Sequence, residues 1–278
     1  IHEQSLKFIR DNAKKPFFAY LPITIPHAAM QCPEEDVAPF RKKFPQFEDL
    51  IGKYSHGTRV KNPVAAFAGM MTRMDRGIGE LLDLLDELKI ADNTLVLFTS
   101  DNGPHYEGGH KPGFFDSNGP LRGHKRDLYE GGIRVPLIAH WPGKIKAGSV
   151  SDHICAHWDL MPTLCDLAGI ATPKHTDGIS YVPTLTGGAK QRAHRYLYWE
   201  FHSYGNTQAI RMGNWKALRL KVRDNPDAPI VLYNLKTDIG ETKNIATDHP
   251  DIIKIIAPLF REAHTPSDRF PLFRKKKK

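Results

Sequence analysis

The chain of 278 residues has a formal net charge of +8 and is 40% hydrophobic, with 14 phenylalanines and four tryptophans. This composition excludes an intrinsically disordered protein, because enough apolar surface is available to form a core. No run of about 18 or more apolar residues occurs, so no membrane-spanning helix is predicted. The three cysteines are irregularly spaced, which predicts neither a disulfide framework nor a zinc site.

Part of the positive charge lies at the C-terminus, where Arg274 is followed by four lysines. A basic tail of this kind more often keeps a chain end solvated than binds nucleic acid, so no nucleic-acid partner is predicted. The remaining excess is typical of a protein that handles anionic substrates, because a positively charged cleft concentrates anions. No signal sequence is visible in the first residues, and the sequence does not indicate an oligomeric state.

The first third of the sequence predicts two helices and a strand. Residues 5–14 have apolar positions at helical spacing, and the continuous apolar run 17–22 is typical of a strand buried on both faces. His27 follows soon after the end of that strand. The polar, proline-broken segment 31–61 predicts a long surface loop. The sustained 3.6-residue period of 64–88 predicts a helix that faces the core.

The central run, 94–103, reads Thr-Leu-Val-Leu-Phe-Thr-Ser-Asp-Asn-Gly and predicts a buried strand that ends in a turn. In an open α/β sheet, ligands bind at the carboxyl ends of the strands. Asp101 and Asn102 would present one anionic and one neutral oxygen ligand there, which suits Ca²⁺ or Mg²⁺. The alternative is that these residues only turn the chain, because Asp and Asn bond their own backbone and Gly adopts positive φ.

Two segments after this turn carry further candidate residues. The segment 103–119 is rich in glycine and histidine, and it offers His105, with His110 as a second candidate, for contact with a substrate. Metal ligation by these histidines is the alternative, although their spacing matches no standard zinc motif. The segment 119–136 is strongly basic and includes Lys125, which is either an anion-binding ammonium or an exposed lysine on a basic turn.

The remaining sequence predicts a strand, a helix and a separate small sheet. Residues 135–140 predict a buried strand, and residues 158–168 predict a helix that ends at Gly169. A last helix is predicted over about 250–263. From residue 193 onwards, short strand-like runs alternate with turn residues, which predicts an antiparallel sheet. These runs are 195–201, 207–211, 215–220 and 230–235.

Several sequence blocks resemble the signature blocks of the arylsulfatases, the type I formylglycine-dependent sulfatases of the alkaline phosphatase superfamily. The resemblance extends, in order, from about Lys15 to about Ile253. The blocks are Thr99–Pro104, Leu121-Arg122-Gly123-x-Lys125, Glu130–Pro136, His140–Gly143 and the run that begins Tyr233-Asn234-Leu235.

The resemblance implies an α/β fold, part of an alkaline-phosphatase-like sandwich with a central mixed sheet flanked by helices. A small C-terminal antiparallel sheet with a helix would complete it. We therefore predict two domains, with residues 1–190 forming the C-terminal part of the catalytic domain and residues 191–278 forming a small subdomain with a basic tail.

The resemblance also implies an activity, the hydrolysis of sulfate monoesters of carbohydrates or aryl compounds. It implies that His27 contacts the sulfate group. His105 is expected to contact the substrate because its loop lies beside the proposed metal-binding turn. The resemblance further implies that Asp101 and Asn102 bind Ca²⁺, with Mg²⁺ as the less suitable ion.

Lys125 matches the family block that places an ammonium on the sulfate group and on the departing oxygen. A fixed cation of this kind stabilises charge that develops in the transition state. Arg122 and Arg134, in the same basic segment, are expected to hold the loop in shape by pairing with acidic neighbours such as Glu130.

Two family features are missing from the sequence. It contains no Cys-x-Pro-x-Arg or Ser-x-Pro-x-Arg motif, whose first residue becomes the formylglycine nucleophile, and no Asp-Asp pair to complete the metal site. We therefore interpret the chain as the C-terminal portion of a sulfatase and expect it to be inactive alone. Its Ca²⁺ affinity should be weak, since Ca²⁺ takes about six or more oxygen ligands. The family resemblance implies an exported protein.

Two alternative functions remain at this point. One is a phosphoesterase of the same superfamily, although such enzymes bring histidine-rich motifs for a second metal and the Lys125 block argues against them. The other is a non-catalytic, truncated sulfatase homologue that binds sulfated glycans, which would account for the missing nucleophile.

Overall fold

The computed structural model describes residues 1–188 and 190–274. The four lysines of the predicted basic tail lie outside the described residues, and the predicted domain boundary at residue 190 stays a prediction. The chain divides into two compact units. The first contains Ile1–Val96, His105–Ser117 and His140–Gly143, and the second contains Leu97–Pro104, Asn118–Ala139 and the chain from Lys144 onwards.

The first unit is mainly helical. Its strands form one short antiparallel pair. Its elements are α1 (His2–Asn12), α2 (Glu34–Lys43), β1 (Ile51–Gly52), β2 (Val60–Lys61), α3 (Pro63–Glu87) and the single-turn helix α4 (Pro112–Phe115).

The long helix α3 confirms the helix predicted over 64–88. Asn62 caps it, because its side chain accepts a hydrogen bond from the backbone N–H of Ala65 at 3.0 Å. The two ends of α3 pack against different helices. Ala66 and neighbouring residues form a buried cluster with Val37 of α2, and Leu85 forms another with Ile9 of α1.

Two predictions for the first unit are wrong. Residues 17–22 form no strand, and every second side chain points outwards, so that Phe18 is 68% and Tyr20 76% exposed. No strand among the described residues pairs with this run, and an apolar run becomes a strand only when its backbone groups find partners. The segment 31–61 contains α2, whose charge pattern favours a helix: acidic residues occupy its first turn and basic residues its last. The sequence analysis missed this helix because Pro39 lies inside it, and an internal proline is typical of a loop.

The second unit contains two sheets and several short helices. β3 pairs with β4, and β5 to β8 form a four-stranded antiparallel sheet in sequential order. Its elements are β3 (Val96–Thr99), α5 (Glu130–Ile133), β4 (Leu137–His140), α6 (Leu160–Leu167), α7 (Val182–Thr186), β5 (Leu197–Phe201), β6 (Thr207–Met212), β7 (Trp215–Leu220), β8 (Ile230–Asn234), α8 (Pro250–Ile256) and α9 (Leu259–Glu262).

The four-stranded sheet confirms the predicted C-terminal antiparallel sheet. Successive residues point to opposite faces, as a strand requires. Ile210 and Ala217 are cross-strand partners that pack under Phe260 of α9, and Ala209 and Leu218 pack on the opposite face. The helix predicted over about 250–263 also forms, although it is divided into α8 and α9.

The strands β3 and β4 confirm the predicted strands, but their predicted burial is wrong. β3 is half-buried along its length, and Ile138 in β4 is 59% exposed. Among the described residues, no helix is both long and apolar enough to cross a lipid bilayer.

Candidate functional site

The turn after β3 presents the two candidate metal ligands. The hydroxyl of Ser100 donates to the backbone oxygen of Asn102 at 2.9 Å, and the Asn102 amide nitrogen donates to the backbone oxygen of Gly103 at 2.9 Å. These bonds fix the turn and leave the amide oxygen of Asn102 as the atom that can bind a cation. Asp101 is exposed at the turn. His157 lies 2.9 Å from the backbone oxygen of Ser100.

Glycines allow this turn to approach the segment that carries Lys125. The backbone N–H of Gly103 donates to the carbonyl of Gly132 at 3.0 Å, and a Cβ atom on Gly103 would overlap the carbonyl oxygen of Gly131. The N–H of Lys125 donates to the carbonyl of Pro104 at 2.8 Å. The second unit therefore brings the backbone of Lys125 beside the predicted metal-binding turn.

A tight turn surrounds the half-buried Lys125. The carboxylate of Asp127 accepts a hydrogen bond from the backbone N–H of His124 at 2.9 Å, and the N–H of Asp127 donates to the carbonyl of His124 at 2.9 Å. Arg126 lies between them with a φ of 81°. Local bonds and this conformation fix the backbone on either side of Lys125.

The two arginines expected to pair with Glu130 behave differently. Arg134 lies 3.7 Å from the Glu130 carboxylate, which agrees with the prediction. Arg122 instead donates to the backbone oxygen of Glu241 at 2.7 Å and stacks 4.0 Å from the ring centre of Tyr129. Its partner is a carbonyl from a distant loop, which the local sequence did not indicate.

Glu130 is buried and has two partners that the sequence analysis missed. The ammonium of Lys216 and the guanidinium of Arg211 each lie 2.7 Å from its carboxylate oxygens. Burial opposes ionisation of Glu130, yet Lys216 and Arg211 hold its pKa below the ordinary value of 4.5. Burial raises the pKa of nearby Glu241 from 4.5 to about 7, although the Lys216 ammonium opposes that rise.

The first unit brings the histidine candidates together. His27 is exposed, and its ring centre lies 5.7 Å from that of His105. His105 is buried, with Nδ1 3.0 Å from the Glu107 carboxylate and Nε2 3.3 Å from the backbone oxygen of Pro26. His110 is buried and stacks 3.7 Å from Phe67. Contact of His27 and His105 with a substrate stays a prediction.

The candidate ligands fit part of a calcium site. Among residues 1–188 and 190–274, no group of three or more His, Cys, Asp or Glu side chains could hold a metal ion. Asp101 and Asn102 offer two hard oxygen ligands, whereas Ca²⁺ takes about six to eight. These two residues therefore suit one side of such a site and do not complete it.

Two family profiles match the chain. The profile described as Sulfatase matches residues 1–170, and the one described as N-sulphoglucosamine sulphohydrolase, C-terminal, matches residues 121–265. Human steryl-sulfatase is 33% identical over 231 residues, which are 80% of this chain and 36% of that relative. The N-acetylgalactosamine-6-O-sulfatase of Bacteroides thetaiotaomicron is 28% identical over 288 residues, which are 95% of this chain and 50% of that relative.

A solved structure shows the same fold. The crystal structure of Ps i-CgsB in complex with k-i-k-neocarrahexaose matches with a TM-score of 0.76 and 30% sequence identity, and it covers 94% of this chain and 53% of that chain. The chain thus spans half or less of the length of the two curated relatives. The family profile covers more than half of the chain, and the matching structure confirms the predicted alkaline-phosphatase-like α/β fold. The chain belongs to the sulfatase family.

Proposed function

We propose that the chain is part of an enzyme that hydrolyses sulfate monoesters, and that residues 1–190 and 191–278 are its catalytic and C-terminal parts. Two backbone hydrogen bonds carry this proposal: Gly103 donates to Gly132, and Lys125 donates to Pro104. They join residues 100–104, which we call the Asp101 turn, to residues 119–136, which we call the Lys125 segment. Since the chain spans half or less of its curated relatives, the activity is assigned to the product of the complete reading frame, and the 278-residue chain alone is proposed to be inactive.

Asp101 and Asn102 are proposed to hold Ca²⁺ together with ligands from outside this sequence. The exposed carboxylate and the available amide oxygen support this assignment. When bound, the ion supplies positive charge to the sulfate oxygens. Mg²⁺ is less suited because it demands near-ideal octahedral geometry. The formylglycine nucleophile is likewise proposed to lie outside the sequence.

Lys125 is proposed to donate hydrogen bonds to the sulfate group and to the leaving oxygen. An ammonium group is effective where negative charge grows, provided that it is already in position before the reaction. The Lys125–Pro104 bond and the Asp127 carboxylate support this requirement, since they restrain the backbone on both sides of Lys125.

His27 in the first unit is proposed to contact sulfate, and His105 is proposed to support that contact. The side chain of His27 is exposed, whereas the buried ring of His105 packs beside it. The ring of His105 lies between the Glu107 carboxylate, 3.0 Å from Nδ1, and the backbone oxygen of Pro26, 3.3 Å from Nε2. This arrangement favours a contact role for His27 over a direct one for His105.

Sulfated carbohydrates are the proposed natural substrate class, with aryl sulfates as convenient assay substrates. One relative is named for a sulfated amino sugar, and the matching structure was solved with a neocarrahexaose. An exported location is proposed with this function, because the family resemblance implies it. No nucleic-acid partner is proposed.

The proposal is tested by comparing an aryl sulfate with the matching aryl phosphate as substrates for the complete protein in Ca²⁺. We expect kcat/KM for the sulfate to exceed that for the phosphate. Much faster turnover of the phosphate would instead identify a phosphoesterase. Turnover of neither ester, together with binding of a sulfated oligosaccharide, would identify a non-catalytic homologue.

A further inference from the structure

A group of buried charges lies between the C-terminal sheet and the Lys125 segment. It consists of Glu130, Arg211, Lys216 and Glu241, and we call it the Glu130 cluster. The side chains of Glu130, Lys216 and Glu241 are 2%, 0% and 0% exposed, so the charges are removed from water. The Lys216 ammonium bonds Glu130 at 2.7 Å and lies 3.8 Å from Glu241.

The Glu130 cluster is difficult to explain by stability alone. Removing a carboxylate and an ammonium from water costs free energy for each ion, and their attraction often no more than offsets that cost. Lys216 lies in β7 beside the buried Ala217, where an apolar side chain would pack at no such cost. A buried ion pair at this position is better explained by the geometry that it imposes.

The geometry in question is that of α5, which begins at Glu130. The N–H of Gly131 donates to the carbonyl of Arg122 at 2.7 Å, and the carbonyl of Gly132 accepts from Gly103 at 3.0 Å. The first turn of α5 therefore contacts the Lys125 segment on one side and the Asp101 turn on the other. A displacement of Glu130 would be transmitted to both.

A second set of bonds holds the same region from the loop that follows β8. The Glu241 carboxylate accepts a hydrogen bond from the backbone N–H of Glu130 at 2.7 Å, and its backbone oxygen accepts from Arg122 at 2.7 Å. Arg122 also contacts the hydroxyl of Tyr233 at 3.4 Å. Both ends of the segment that contains Lys125 are thus fixed by residues after β5.

We propose that Glu130, Lys216 and Glu241 are positioning residues, through which the C-terminal sheet sets the position of Lys125 relative to the Asp101 turn. This inference rests on the proposed function, since it assigns the catalytic role to Lys125. It gives the C-terminal sheet a part in catalysis although none of these three side chains contacts the substrate. A small displacement of a catalytic group can reduce the rate by about 100-fold.

The test uses the product of the complete reading frame and two readouts, steady-state kinetics and amide hydrogen exchange of residues 122–132. Lys216→Met removes the ammonium at nearly constant volume. We expect its kcat on an aryl sulfate to fall by about tenfold or more with KM within about twofold, because positioning affects mainly the transition state. The rate of amide hydrogen exchange of residues 122–132 should increase, because this segment opens more often once the Lys216 ammonium is lost. Arg195→Met is the matched control, since it removes an exposed charge paired with Glu262 in the same subdomain.

Glu241→Gln and Glu241→Leu form a second pair of variants, which differ in whether the side chain can accept a hydrogen bond. Glutamine keeps an oxygen that accepts the Glu130 N–H and should stay within about threefold of the wild-type kcat, whereas leucine should resemble Lys216→Met. A structural role without positioning would not produce rescue by glutamine. This pair decides the question if Lys216→Met does not fold.

The outcomes separate the two proposals. If the wild-type protein hydrolyses no sulfate ester, the proposed function fails, and exchange alone decides whether the Glu130 cluster holds the segment. Unchanged exchange of residues 122–132 in both Lys216→Met and Glu241→Leu would overturn the positioning proposal at any level of activity. Increased exchange with unchanged kcat in an active enzyme would overturn it as well.

Discussion

The Lys125 region of the second unit and the histidine region of the first unit are built differently. In the second unit, backbone hydrogen bonds, closely packed glycines and the Glu130 cluster fix the chain around Lys125. In the first unit, His27 and His105 are in contact through their rings, and His27 is exposed. The chain around Lys125 is therefore held by its backbone and by charges distant in sequence, whereas His27 and His105 meet through their side chains. Substitutions in the backbone around Lys125 should therefore have larger and less local effects than substitution of the His27 side chain.

The largest effect is expected from Gly103→Ala, because the new methyl group would overlap the Gly131 carbonyl oxygen. We expect the free energy of unfolding to fall by more than about 3 kcal/mol, since backbone must move to relieve the overlap. Denaturant unfolding measures this change. Gly113→Ala in α4 is the control, since no atom beyond its chain neighbours and the backbone of its own helix lies within 4 Å of the added methyl group. Equal stability of the two variants would show that the close approach at Gly103 is not required.

Asp101→Ala should have the next largest effect, and it should act on the metal. Loss of the anionic ligand is expected to weaken Ca²⁺ binding by at least about tenfold and to abolish most activity, which raised Ca²⁺ would restore only in part. Calorimetric titration with Ca²⁺ measures the affinity. Asp92→Ala is the control, because it removes a carboxylate that precedes β3, whereas Asp101 follows it. An unchanged affinity in Asp101→Ala would leave Asp101 with only its turn-forming role.

His27→Ala should have a smaller effect and leave the fold intact, because the side chain is exposed. We expect kcat/KM to fall by about 10- to 100-fold, shared between kcat and KM, as expected for a donor that binds sulfate in the ground state and the transition state. His110→Ala should reduce activity least of the proposed site variants. If His110→Ala were as damaging to Ca²⁺ binding as Asp101→Ala, the histidine loop would belong to the metal site.

The smallest effect should appear in the pH dependence of stability. The pKa of Glu241 is raised from 4.5 to about 7, so its contribution to stability is complete below about pH 4.5 and is lost as the pH rises through about 7. Glu241→Gln lacks this titration. The stability of the wild type relative to Glu241→Gln should therefore decline over that range, as measured by urea unfolding. Glu262→Gln, at an exposed position, should follow the wild-type curve.

Strong local patterns predicted most of the fold. The helix α3 and the strands β5 to β8 were found because their apolar periods or turn residues are regular, and β3 was found because its apolar run ends in Asp-Asn-Gly. The helix α2 was missed because Pro39 interrupts its pattern. The strand predicted over 17–22 does not form because strand formation depends on a pairing partner, which an apolar run cannot reveal.

The candidate site was predicted only in part, for a similar reason. Asp101, Asn102 and Lys125 lie in recognisable blocks, and a backbone hydrogen bond joins Lys125 to Pro104, which directly follows the turn. The partners of Glu130 were missed because Lys216 is 86 positions away and resembles an outward-facing strand residue. His157, which contacts Ser100, was missed because nothing in its own segment indicates a contact with the turn. Contacts of this kind depend on the tertiary fold.

The most direct test of the sulfatase site is the kinetic analysis of Lys125→Ala in the complete protein, with Ca²⁺ affinity measured in parallel. We predict that kcat for an aryl sulfate falls by about 100-fold or more, because the ammonium is proposed to stabilise charge that develops in the transition state. Ca²⁺ affinity should stay within about twofold of the wild-type value, because the proposed metal ligands are Asp101 and Asn102 and do not include Lys125. An increase in KM with unchanged kcat would contradict this account, since it would show that Lys125 only binds the substrate.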